Sequence, residues 1–532
     1  MPLQQVHPST FLSRRDLLIV LGVYSLCFLV VAGFPHPLLG FPLDDSWIHQ
    51  VVARNLAHDG TLGFIPKVRS SGSSSLLWSI LLAVNWKLFP ALNPITYSAV
   101  LNGFLLLATG CGLLAMARKD GLSNISCWIW ALTPALDGNF VWLGVIGMEH
   151  ILFVVLSVIG IYLWFQESLR SAILCSLCLG ALSLTRPEGL VLAIIALLAS
   201  RWAHRSRRDM SVVGTVVTLC VLATFLANFI TSRSWLPTTY AGRKWLYFGS
   251  DKVPPLARIE FPYVLARSLL QPWALHQTHP LYIFNGVIVG LTAMGVWKLV
   301  SERRMRTGFL VLWSFIHVVI YSAVLPTRSH GGRYQPLFLA LSFPLMLLGA
   351  QVLIRRATRS LSTPQSQMAA QSLAVIAMCM LCGFFSLRAW KKVTNAGVAH
   401  IEGTHGRMGR FLFATLPPQT RVAAFDIGRI GFLYGGSLVD LGGLTDSSFL
   451  PYMREHRIFD YLSERNIQYL VWPTSESGTL DVPQVLEFTQ ENRRSLTEVV
   501  RFCIPHAMWL TSYSVTLDAA PCQTLYQLHF RR

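Results

Sequence analysis

The sequence predicts a mainly α membrane protein, a multispanning helical bundle of about eleven spans followed by a small C-terminal α/β domain. Three observations predict it. Hydrophobic residues make up 53% of the 532 positions and mean hydropathy is +0.48, with many apolar runs long enough to cross a hydrocarbon core of about 30 Å. Charged residues are only 13% of the chain, and the basic ones fall in short gaps between those runs. From Arg388 onward the chain is more polar and has no spanning run.

The elements follow in order. Leu17 to Phe34 is too long for the apolar core of a cleavable leader and no small-residue cleavage site follows it, so it reads as a retained first span. Further spans are Ile95 to Ala117, Leu122 to Leu136, Met148 to Phe165, Ile173 to Leu184, Leu190 to Ala199 and Val212 to Ile230. The series ends with Leu281 to Val300, Phe309 to Leu325, Leu337 to Ile354 and Leu373 to Leu387. Ser75 to Phe89 is apolar but short and reads as a helix lying at the outer interface, within a first outer loop over residues 35–94. The tail, residues 389–532, contains "RVAAFDIGRIGFLYGGSLVDLGGLTD", where short β-prone segments alternate with glycines. "IFDYLSERNIQYLVWP" reads as a helix and then a strand.

A net charge of +18 raises nucleic acid as a partner, but the position of the charge gives a simpler account. Arg14 and Arg15 precede the first apolar run, and Arg118, Lys119, Arg170, Arg201, Arg205, Arg207, Arg208, Lys298, Arg303, Arg304, Arg306, Arg355, Arg356 and Arg359 lie between later ones. Short loops rich in Lys and Arg stay in the cytoplasm, so no nucleic acid is required. An odd span count then puts the N-terminus in the cytoplasm and the tail outside. It also gathers the polar islands on the outer face: the Asp44 to Ser74 loop, "DGNFVWLGVIGMEH", "TRPEG", "LPTTYAGRKW" and "LPTRSHGGRYQ".

Of the ten cysteines, eight fall in or beside spans, where a small buried hydrophobe is the usual role. Cys503 and Cys522 lie in the outer tail and are candidates for a disulfide. The chain has no internal repeat, no low-complexity tract and no His/Cys cluster at metal-binding spacing.

The islands resemble, in order, those of the GT-C glycosyltransferases, multispanning enzymes that use polyprenyl-phosphate-linked sugars. The resemblance is closest to the bacterial terminal arabinofuranosyltransferases and related mannosyltransferase-like proteins. It rests on "DDSWI" and "ARNLAHDGTLGF" after the first span, "GME" heading a span, "TRPEG" between short spans, "LPTTYAGRK" after a span, and "DIGRIGFLYGG" with "DLGGLTD" in the tail. The match covers nearly the whole chain and departs at "SSSLLW", Ser73 to Trp78, where relatives carry a Thr-x-Pro-Leu-Trp type sequence. The resemblance implies an inverting transferase of the bacterial plasma membrane, with a polyprenyl-phosphate-linked sugar as donor and an envelope glycan or lipid as acceptor. A transporter or flippase of lipid-linked sugars is the alternative, since charges in membrane cavities also line transport paths.

Such a transfer needs a base for the incoming hydroxyl and cations for the departing phosphate. Adjacent residues point in different directions, so Asp44 and Asp45 divide their roles. The resemblance favours Asp44 as base, with Asp45 next, and a purely structural cap on a helix starting near Ser46 is the bland reading. Arg243, Lys244, Arg333 and Tyr334 are the phosphate candidates, against a background of headgroup attraction to membrane lipid. Tyr240, in the same island as Arg243, joins the substrate-binding set. Glu149 and His150 head a span, where sugar binding competes with a helix-dipole role. Arg186 and Glu188 flank one proline and are candidates either for substrate or for pairing with each other. His330, Lys67 and Arg69 complete the substrate set. Asp426 and Asp440 fall at strand ends and read as turn formers. No cofactor is assigned; a divalent cation is left open, with no further ligands placed near Asp44 and Asp45.

Overall fold

The structure is a computed structural model that describes residues 12–34, 39–70, 72–73, 75–235, 237–250, 252–273, 281–360, 363–481, 486, 488–516 and 520–530. Ser74 of the "SSSLLW" turn lies outside the described residues.

The chain opens with α1 (Arg14–Val31), whose capping box pairs Ser13 with Asp16. Asp16 also takes both Nη groups of Arg118, at 2.6 and 2.7 Å, so two end charges neutralise one another. Next come α2 (Asp44–Asp59), α3 (Leu76–Leu88), α4 (Pro94–Lys119) and α5 (Asn124–Leu136). The short α6 (Gly138–Val145) and α7 (His150–Trp164) meet at 112°. Gly147, at φ +72°, makes that break, and a Cβ there would lie 2.3 Å from the Phe41 ring.

Then follow α8 (Leu169–Thr185), α9 (Gly189–Leu198), α10 (Arg207–Ser232), α11 (Thr238–Phe248), α12 (Pro255–Ser268), α13 (Leu281–Ser301), α14 (Met305–Val324) and α15 (Pro336–Ala357). Arg205, charged but buried, donates to the carbonyls of Leu163, at 2.5 Å, and Trp164, at 2.7 Å, and so closes the C-terminal end of α7. Among the described residues six helices are long and apolar enough to cross a membrane, or seven if α6 and α7 count as one broken span. The remaining apolar helices are shorter: α3 has 13 residues, roughly 20 Å at 1.5 Å per residue.

The helix α16 (Pro364–Ile401) has 38 residues, roughly 57 Å at the same rise, and residue 388 lies inside it. It runs through a π turn, Glu402–Gly406, into α17 (Arg407–Thr415). Beyond lies a five-stranded sheet with α18 (Gly428–Tyr434) after its first strand. The strands β1 (Arg421–Ala424), β2 (Ser437–Asp440), β3 (Tyr469–Thr474), β4 (Leu496–Cys503) and β5 (Cys522–Leu528) are arranged β2-β1-β3-β5-β4. β1 is parallel to both neighbours, and β5 is antiparallel to β3 and β4. A disulfide joins Cys503 to Cys522 across the β4–β5 pair.

The bundle has its own buried core, which includes Trp130, Trp142, Trp164, Trp313 and Trp390. A second core buries Ile48, Val51 and Val52 of α2 together with Met408, Leu412, Val422, Ala424 and Ile430. One face of the sheet therefore packs on α2, the helix that begins with the acid pair.

Candidate active site

Asp44 and Asp45 are the first two residues of α2, and the N-cap is Leu43, with no side-chain cap bond. This corrects the expectation of a helix near Ser46 capped by the acids: both carboxylates reach other elements. Asp44 Oδ2 accepts the N–H of Gly428 and Oδ1 that of Arg429, each at 2.7 Å. Gly428 permits this approach, since a Cβ there would lie 2.1 Å from the Asp44 carbonyl oxygen. Burial raises the Asp44 carboxyl; His405 opposes that and Asp426 adds to it.

Asp45 points the other way. Its Oδ2 accepts from Arg243 Nη2 at 2.9 Å and also from Arg333 Nη2. Burial alone would raise its pKa, but the two guanidinium groups outweigh it and hold the carboxyl well below the usual range.

Local backbone geometry aims these arginines. Gly242 lets α11 press on the Gly442–Gly443 turn, where a Cβ would meet the Gly443 carbonyl oxygen at 2.3 Å. Asp440 holds that turn by accepting the N–H groups of Gly442, Leu444 and Thr445. Arg333 follows a tight turn in which Gly331, at φ +61°, packs under Trp142.

A cavity of about 430 Å³ opens beside these groups. Its lining includes Glu149, His150, Arg186, Glu188, Tyr240, Arg243, Arg333 and Tyr334 from the islands, with Tyr321, Ile320, Val324 and Leu325 on an apolar side. Tyr334 is its hub. The guanidinium carbons of Arg243, Arg333 and Arg186 lie 5.3, 5.7 and 5.8 Å from its ring centre. Four buried atoms of the lining have no hydrogen-bond partner among the described residues: the Tyr334 hydroxyl and Arg186 Nη1, which are donors, with Glu149 Oε2 and His150 Nδ1. Three cations gathered around one aromatic ring, with donors to spare, suit an anion whose remainder is apolar.

Arg186 and Glu188 also pair with each other, Nε to Oε1 at 3.5 Å, and Tyr321 joins them. Asp45 reaches the cavity through Arg243 and Arg333 and is not part of its lining, and neither is Asp44. Lys244, also outside the lining, lies 5.6 Å from the Tyr240 ring. His330 sits in the turn before Arg333, its carbonyl accepting the Arg333 N–H at 3.2 Å. Lys67 and Arg69 are exposed and away from the cavity.

Other groups at this site have weak sequence signals. His49, four residues after Asp45 and so on the same helical face, lies 3.7 Å from Glu149. Tyr321 and His317 are hidden in an apolar run. Asp426 corrects the turn-former reading: it accepts from Gln523 at 2.8 Å, faces His405 at 3.5 Å and stands beside Asp44.

Residues 396–526 match the family model described as "Domain of unknown function (DUF8728)". No curated protein matches the chain in sequence. Among solved structures the chain is similar to ArnT from Cupriavidus metallidurans bound to undecaprenyl phosphate. That match has a TM-score of 0.57 at 12% identity, over 97% of this chain and 98% of that one. The same enzyme in the apo state gives 0.55 at 11%, over 96% and 97%. The Archaeoglobus fulgidus oligosaccharyltransferase, tethered with an acceptor peptide, gives 0.54 at 11%, over 97% and 89%. At such identities the likeness is one of architecture: the chain shares the fold of these neighbours, and six of its described helices are long and apolar enough to cross a membrane.

Proposed function

We propose that the chain is an inverting glycosyltransferase that moves a sugar, arabinofuranose, mannose or a similar one, from a polyprenyl-phosphate donor to an envelope glycan or lipid acceptor. The observation that carries this reading is the convergence of Arg186, Arg243 and Arg333 on Tyr334, with two unsatisfied donors, in a cavity with an apolar side. A phosphate takes bidentate guanidinium contacts, and a polyprenyl chain suits the apolar side. The fold neighbour bound to undecaprenyl phosphate supports the donor class.

The two acids then divide the chemistry. Asp45 shares its carboxylate with two of the cavity's cations, so it belongs to the leaving-group side. In an inverting displacement the base stands on the opposite side of the anomeric carbon. Asp44, turned away from those cations toward the sheet, takes that role. The acceptor oxygen bonds to the anomeric carbon as its proton passes to Asp44. The bond from that carbon to the phosphate oxygen breaks, and polyprenyl phosphate departs against the arginines.

In this reading residues 1–388 form the catalytic membrane domain and residues 389–532 an extracytoplasmic domain. The site opens on the outer face of a bacterial plasma membrane, with the N-terminus in the cytoplasm. Incubating the purified protein with polyprenyl-phosphate sugars and envelope extract tests it. Sugar transfer, or donor hydrolysis, is the expected result; movement of the lipid across sealed vesicles with no product would establish a transporter instead.

A further inference from the structure

We infer that Asp44, His405 and Asp426, with Gln523 beside them, form a divalent-cation site at the seam between α2 and the C-terminal sheet. One ligand atom from each of the first three lies within 4.8 Å of the others. They come from three separate places: the first residue of α2, the π turn after α16, and the loop after β1. Gln523 comes from a fourth, β5. Bringing two carboxylates together at a half-buried seam is unfavourable unless positive charge, from the imidazole or from a bound cation, sits between them.

The histidine is set for ligation. Thr404 Oγ1 donates to the His400 carbonyl at 2.7 Å, so its hydrogen is committed and it accepts from His405 Nδ1 at 2.8 Å. That arrangement leaves Nε2 as the lone-pair nitrogen, directed toward Asp426 Oδ2 at 3.5 Å. A hydrogen bond on the far ring nitrogen is what orients metal-binding histidines.

Gln523 supplies an independent sign. It is 1% exposed, and its Oε1 is buried with no hydrogen-bond partner. Its Nε2 lies 2.8 Å from Asp426 Oδ2 and 3.2 Å from His405 Nε2, so the amide ends at the cluster. Turning that amide over, a choice that oxygen and nitrogen positions leave open, delivers the orphan oxygen to the centre as a fourth ligand.

One imidazole nitrogen with carboxylate and amide oxygens suits Mn²⁺ or Zn²⁺ better than Ca²⁺, which favours six to eight oxygens. Metal–ligand bonds of about 2.1 Å would draw the ligand atoms to spacings of roughly 3–4 Å. A carboxylate has about four lone-pair sites. Two on Asp44 are taken by the Gly428 and Arg429 amides, which leaves room for both a cation and an acceptor hydroxyl. The ion would thus tie the sheet to the helix that carries the acid pair.

The test uses the full-length protein in detergent. After stripping with chelator, Mn²⁺ binding is followed by electron paramagnetic resonance and Zn²⁺ binding by thermal shift and elemental analysis. The expected result is one ion per chain, with affinity reduced at least tenfold in His405→Ala and in Asp426→Asn. Thr404→Val, which removes the bond that orients the ring and the hydroxyl's bond to the His400 carbonyl but no proposed ligand, keeps the site answerable if those variants do not fold; it should weaken binding ten- to a hundredfold. Failure of the wild type to bind either ion at millimolar concentration would overturn the site, and so would binding unchanged across the three variants. Stripped protein that transfers sugar and takes up neither ion when it is added back leaves the proposed function standing and removes the cation site. Ion binding without transfer does the reverse.

Discussion

Arg333 donates to Asp45 across 288 residues of sequence, and the pair is held where α2 meets the cavity wall. Arg333 is 1% exposed, so its charge is satisfied by Asp45 until an anion enters. Arg333→Ala removes one phosphate contact, and charge-assisted contacts of this kind contribute roughly 1.5–3 kcal/mol, a ten- to hundredfold loss in kcat/KM. Arg333→Lys should recover part of it only, because the planar fork is lost. Donor kinetics equal to wild type in both variants would confine Arg333 to a structural ion pair.

Tyr334 separates ligand binding from stability. Its hydroxyl is buried and has no protein partner, so the free protein carries the cost of an unsatisfied group, about 1–3 kcal/mol. Tyr334→Phe keeps the ring under the three arginines and relieves that cost. It should raise the Tm of the donor-free protein while weakening donor use about tenfold. A lower Tm with unchanged donor KM is the result that contradicts the assignment.

Much of this site is visible in the sequence because polar residues are costly in so apolar a chain, and each island that survives there needs a partner. Glu149, Arg186, Glu188, Arg243 and Arg333 stand out for that reason, and they line or border one cavity. The residues that pack from the sheet were not visible in the same way. Asp426 lies in a Gly-containing stretch at a strand end, which has the pattern of a turn, and only the docking of the sheet on α2, which sets it beside Asp44 and His405, gives it another role. His405 sits in a long helical run whose π turn has no composition signal. Tyr321 and His317 match the apolar period of α14, and aromatic rings at that spacing read as core.

The contact between Gly428 and Asp44 gives a steric prediction. A Cβ at Gly428 would sit 2.1 Å from the Asp44 carbonyl oxygen and 2.8 Å from its carboxylate, whereas Gly286 in α13 has nothing within 4 Å. Gly428→Ala should therefore cost about 1–3 kcal/mol, the range for overpacking, and should lower transfer by disturbing the acid pair. Gly286→Ala should be nearly silent. Equal thermal stability for the two variants would mean that the sheet docks on α2 more loosely than this contact requires.

Membrane orientation is checked by labelling. Arg208 and Ser477 are exposed at opposite parts of the chain. Under the proposed topology, Arg208→Cys reacts with an impermeant maleimide only after the membrane is opened, and Ser477→Cys reacts in intact cells. The eight cysteines outside the disulfide are buried or half-buried, which limits background. The reversed pattern would put the cavity on the cytoplasmic side.

Asp44 carries the sharpest test, and its two amide contacts set the controls. Asn can accept the N–H of either Gly428 or Arg429 through its one oxygen, but its NH₂ then faces the other donor, so Asp44→Asn gives up one of two docking bonds. That loss is worth about 1–3 kcal/mol of stability, and it changes the folded fraction very little in a protein that is 5–15 kcal/mol stable. Loss of the proton acceptor is a different effect: turnover of the folded enzyme should fall by about 10²–10⁴, with donor binding retained. Asp44→Ala loses both amide contacts as well, so it should be less stable than Asp44→Asn but no less active per folded molecule. Asp45→Asn should act mainly on donor KM, since its carboxylate partners the cavity arginines. Near wild-type turnover by a folded Asp44→Asn protein, with Asp45→Asn inactive at saturating donor, would transfer the base role to Asp45.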